Sequence, residues 1–86
     1  MTNIGIVTGD DLLPRWSDLL AAGCTFDNLD TGAPLASLTA PIVSANAYLG
    51  ARPIADALAG AARIVITGRV ADASLTLGPA MHEFGW

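Results

Sequence analysis

The residues able to do chemistry fall into three short polar groups, each placed directly after an apolar run. Thr8-Gly9-Asp10-Asp11 follows Ile4-Gly5-Ile6-Val7, and Ser44-Ala45-Asn46-Ala47-Tyr48 follows Pro41-Ile42-Val43. Thr67-Gly68-Arg69-Val70-Ala71-Asp72 follows Ile64-Val65-Ile66. Arg69 is the most chemically specific member. A guanidinium beside a helix N-terminus can hold a carboxylate or phosphate, because its planar fork and the local dipole both favour an anion. A structural bridge from Arg69 to Asp72 or Asp10 is the stronger alternative, since ion-pair networks imitate sites. Asp10 and Asp11 could bind a metal or exchange protons. Helix capping is the better account, because a carboxylate there accepts from unpaired first-turn N–H groups. Asn46 could orient a substrate carbonyl or, equally, tie down its loop. Tyr48 could donate to a ligand, although filling the gap between helix and sheet is the commoner use of such a ring.

Other reactive types find no local partners. Ser44 and Ser74 lack a nucleophile-elbow pattern. His82 suits acid–base work near neutral pH, but it lies beside Glu83 and Phe84 near Trp86, where a surface or packing role is expected. Cys24 is the single cysteine, so it is read as a small core residue. Trp16 and Trp86 are expected to pack. Gly5 and Gly9 do not form G-x-G-x-x-G, and without lysine there is no P-loop. No His and Cys cluster has zinc spacing. No metal is expected, and no cofactor is indicated.

The elements that must position the polar groups are strands at Ile4–Thr8, Pro41–Ala45 and Ile64–Thr67. The first and third are nearly continuous apolar, as strands buried on both faces should be. A helix after the first strand carries Leu12, Leu13, Trp16, Leu19 and Leu20 on one stripe. Asp10 or Asp11 is its expected cap, and Gly23 its stop. Residues 27–32, Asp-Asn-Leu-Asp-Thr-Gly, form a turn-rich stretch. Pro53 opens a second helix that should bury Ile54, Ala57, Leu58 and Ala61. Asp72 is expected to cap a third helix carrying Leu75 and Leu77 and broken at Gly78-Pro79. A last turn runs to Gly85. This alternation predicts an α/β fold, a βαβαβ parallel-sheet portion of a larger three-layer domain. In such sheets ligands gather at the carboxyl ends of the strands. The expected ligand-contacting residues are therefore Asn46, Arg69, Asp72 and Asp10.

Composition narrows the class. Of 86 residues, 52% are hydrophobic and 14% charged, with a net charge of -4. So little charge on so short a chain implies apolar surface that one small domain cannot hide. The rest of a domain or a homo-oligomer is expected to cover the sheet. Four scattered arginines do not make a basic stripe, so nucleic acid is not an expected partner. Neither a basic amphipathic helix nor an apolar run of about 20 residues is present, so no membrane role is expected. The first residues lack the basic and apolar regions of a signal peptide, and a cytoplasmic location is the expectation.

The segments Ser44-Ala45-Asn46-Ala47-Tyr48-Leu49-Gly50-Ala51-Arg52-Pro53-Ile54 and Ile64–Leu75 carry a family resemblance, which continues through Leu77-Gly78-Pro79, His82 and Phe84-Gly85-Trp86. Less specific support comes from Gly9–Leu13 and Asn28–Gly32. Together they resemble the N-terminal domain of the acyclic terpene utilisation (AtuA-type) family over nearly the whole chain. The resemblance implies bacterial catabolism of acyclic terpenes such as citronellol and geraniol, through acyl-CoA thioesters. It implies an acyl-CoA or small organic acid as ligand. No catalytic residue is carried over, which leaves an enzyme, a non-catalytic scaffold or assembly subunit, and a truncated chain without independent function all open. Residues 1–86 are expected to be a partial domain, lacking the family's glycine-rich start and later half.

Overall fold

The computed structural model describes residues 2–86, so Met1 of the expected domain lies outside the described residues. The elements are β1 (Ile4–Val7), α1 (Trp16–Ala21), α2 (Arg52–Ala59), β2 (Ile64–Thr67) and α3 (Ser74–Phe84), with 3-10 turns at Leu13–Arg15 and Leu35–Ser37. The chain divides into two compact units. One comprises the chain up to Asp11 together with Asn46–Trp86, and the other is Leu12–Ala45.

In the first unit β1 and β2 pair in parallel, with Ile4 opposite Ile64 and Val7 opposite Thr67. Side chains alternate across a strand, and the two faces have different fates. Gly5, Val7, Val65 and Thr67 face the helices. A Cβ on Gly5 would stand 3.1 Å from those of Ala57 and Ala62, so the small residues of α2 let it lie close to the sheet. On the opposite face Ile4, Ile6, Ile64 and Ile66 remain 48% to 70% exposed. The fold is α/β with a parallel sheet. Within the described residues that sheet has two strands, not the three expected.

The missing strand is Pro41–Ala45. Pro41 has no N–H to give a ladder, no strand among the described residues lies against this run, and Val43 is exposed. What pairing there is comes at its end, where the Ala45 carbonyl accepts from the Leu12 N–H at 2.8 Å.

The core of the first unit is Val7, Ala51, Ile54 and Ala55, with Ser74 as its buried polar residue. Pro53 opens α2 as expected. Ile54 is 3% exposed, but the expected face shifts. Ala55 is buried, whereas Ala61 lies beyond the helix at φ 71° and is exposed. The third helix is not broken at Gly78-Pro79. It runs unbroken to Phe84 and stops where Gly85 takes φ 70° and donates its N–H to the Met81 carbonyl at 3.0 Å. Pro79 lacks the N–H that would reach the carbonyl four residues back. Close packing compensates, because buried Gly78 sits against Ile54 of α2. Leu75 and Leu77 are exposed.

In the second unit α1 is followed by Gly23 at φ 101°, which ends the helix as expected. The turn-rich stretch forms as anticipated. Asn28 Oδ1 accepts from the N–H groups of Asp30 at 2.8 Å and Thr31 at 3.1 Å. No residue of this unit is buried. Cys24 is accordingly exposed and not a core residue.

Candidate functional site

The carboxyl ends of β1 and β2 open into a groove of about 570 Å³, lined by Asp10, Asn46, Thr67, Arg69, Asp72 and Leu75 among others. All four residues expected to contact a ligand therefore line one cavity. Backbone pairing draws their segments together. The Ala47 N–H donates to the Asp10 carbonyl at 2.7 Å, and Gly68 N–H to Val7 at 3.2 Å. Leu49 donates to the Arg69 carbonyl at 3.3 Å and accepts from Ala71 at 2.9 Å, so residues 49 and 70 form a parallel bridge.

Asp10 is the anchor of the groove. Its Oδ2 accepts from the Arg69 backbone N–H at 2.8 Å and from Asn46 Nδ2 at 3.1 Å. Hydrogen bonds to the charged form favour it. The Arg69 N–H, against a smaller opposing effect of desolvation and helped by the Asn46 amide, holds the Asp10 carboxyl below its ordinary value of 3.8. This corrects the capping assignment for Asp10, whose carboxylate is engaged at the groove. Gly68 makes the contact possible, because a Cβ there would overlap the Asp10 carboxylate. Sequence reasoning missed that role, although a glycine between an apolar strand and an arginine was the available signal.

Arg69 is thus held through its main chain. Among the described residues its guanidinium makes no ion pair with Asp10 or Asp72. It lies over the Tyr48 ring, 5.4 Å from the centroid, in cation–π geometry. The expected structural bridge is replaced by a backbone hydrogen bond. Tyr48 is exposed and does not fill the gap between helix and sheet. Asn46 adopts the loop-tying role through its amide. Asp72 lines the groove but does not cap α3, whose N-cap is Ala73 without a side-chain bond. His82 stands in the last turn of α3, away from the end that borders the groove, and Trp86 meets Phe84 with ring centroids 5.4 Å apart, both rings remaining largely exposed.

Among the described residues no group of three or more His, Cys, Asp or Glu could hold a metal, and no helix is long and apolar enough to cross a membrane. The arrangement offers one cation on a fixed backbone, a charged carboxylate already engaged, and an open cavity at parallel strand ends. That defines an α/β protein with a polar groove at the carboxyl ends of its parallel sheet. The family model for acyclic terpene utilisation family protein AtuA matches residues 1–86, and the chain belongs to that family. Comparison with curated proteins and with solved structures returns no match.

Proposed function

We propose that the protein takes part in acyclic terpene catabolism of the citronellol or geraniol type by binding an anionic intermediate, an acyl-CoA thioester or related acid, in the strand-end groove. The observation that carries this reading is Arg69. Its main chain is fixed on both sides, by Asp10 and by Leu49, while among the described residues its guanidinium has no carboxylate partner. A fixed backbone bearing a planar cation that meets a ring and no carboxylate among the described residues suits recognition of a carboxylate or phosphate. Asp10 acts through Arg69 as a positioning residue. Asn46 and Asp72 supply polar walls. Titrating an acyl-CoA ester into the protein tests this. Arg69→Ala should weaken binding about tenfold or more, as loss of a hydrogen bond to a charged group implies. Unchanged affinity beside lowered stability would assign Arg69 to structure alone.

A second reading, a non-catalytic scaffold or assembly subunit of the same pathway, is favoured by the exposed face of Ile4, Ile6, Ile64 and Ile66. Parallel sheets are ordinarily covered on both faces, and a larger three-layer domain or an assembly would supply the cover. Binding of a pathway intermediate in the strand-end groove, absent here and present under the first reading, separates the two.

A further inference from the structure

We infer that the groove continues into an apolar subsite, and that together they take a small amphipathic acid, with an anionic head at Arg69 and a short hydrocarbon tail between α2, β2 and α3. A second cavity of about 210 Å³ is lined by Ile54, Leu58, Val65, Thr67, Leu75 and Pro79. Thr67 and Leu75 also line the polar groove, so the two cavities share a wall. Thr67 is the single polar residue of the apolar one. The cavity exists because α2 and α3 converge at Ile54 and Gly78 and leave Leu58 and Leu75 incompletely covered. Its small volume favours a short tail.

The occupant is set by this pairing of surfaces. A wholly apolar ligand leaves Arg69 unmatched, and a wholly polar one leaves the Leu58 and Val65 wall wet. A short-tailed acid matches both. This rests on the reading of the groove as an anion site, and a titration by tail length separates the two.

Butanoate, octanoate and dodecanoate are titrated into the full chain while backbone amide NMR shifts are tracked. Affinity should rise roughly tenfold or more from butanoate to octanoate, as burial of added methylenes implies, with little further gain at dodecanoate. Shifts should move at Arg69 for every acid and at Leu58 and Val65 only for the longer ones. Leu58→Phe should remove the gain with tail length and leave butanoate unchanged. Leu75→Ala, at an exposed position that tolerates truncation, should move the optimum to longer tails. Affinity independent of tail length, with the Arg69 response intact, overturns the subsite and leaves the anion reading standing. A tail-length gain unaffected by Arg69→Ala overturns the anion reading. Shifts confined to Ile4, Ile6, Ile64 and Ile66 overturn both.

Discussion

The backbone N–H of Arg69 donates to the carboxylate of Asp10 at 2.8 Å across 59 residues of sequence. This one bond joins the loop after β1 to the loop after β2, and the Asn46 amide brings in a third segment at 3.1 Å. The charge on Asp10 therefore organises the groove that the Arg69 side chain also lines.

That bond makes stability depend on pH. Asp10 has a lowered folded-state pKa, so the native protein binds fewer protons on this group than the unfolded chain near the ordinary value of 3.8. Its stabilising contribution is complete above that value and is lost as pH falls through the lower folded value. Denaturation measured as pH falls from about 4 downward should show this slope, and Asp10→Asn should flatten it. Hydrogen exchange at the Arg69 amide should accelerate in the variant. An exchange rate equal to that of the parent protein would show that Asp10 does not anchor the loop.

Glycine positions give a steric contrast. Gly68→Ala places a methyl group in the space of the Asp10 carboxylate, so it should break the Asp10–Arg69 bond and let the Asp10 pKa rise. Gly60→Ala meets only the Ala57 and Asp56 carbonyls, at 3.4 and 3.6 Å. There the smaller unfolded-state entropy should stabilise by about 0.4–1 kcal/mol. Thermal melts of the two variants, with an NMR titration of Asp10, check both signs. Equal melting temperatures would contradict the assigned geometry.

The contact between α2 and α3 should be equally intolerant. A Cβ on Gly78 would lie 2.7 Å from the Ile54 side chain and 3.2 Å from the Ala51 carbonyl. Overpacking of this kind costs about 1–3 kcal/mol, which outweighs the gain of about 1 kcal/mol in helix propensity from replacing glycine by alanine. Ile54→Ala should cost about 2–5 kcal/mol as a large-to-small core change. Urea unfolding of the two single variants and the double variant should reveal coupling between the sites. Strict additivity would place the helices farther apart.

Much of the local structure was legible in the chain itself. The apolar runs at 4–7 and 64–67 became the two strands, Pro53 opened α2, and Gly23 and Gly85 ended helices. These signals are local, because strand periodicity, a fixed proline φ and glycine's access to positive φ belong to a few consecutive residues. The gathering of Asp10, Arg69 and Asp72 was also legible, since parallel β1 and β2 deliver their trailing loops to one edge, whereas Asn46 arrives on a segment that forms no strand.

The tertiary structure alone decided the choice of partners. Residues 41–45 have strand composition but no strand beside them, and β structure needs a second chain segment to complete its hydrogen bonds. Gly78-Pro79 reads as a helix breaker until Ile54 packs against it. Asp10 had a suitable helix within a few residues, yet its carboxylate took the Arg69 N–H that parallel pairing of β1 with β2 brought within reach. Capping propensity is a nearest-neighbour property, whereas the position of Arg69 relative to Asp10 depends on the register of two distant strands.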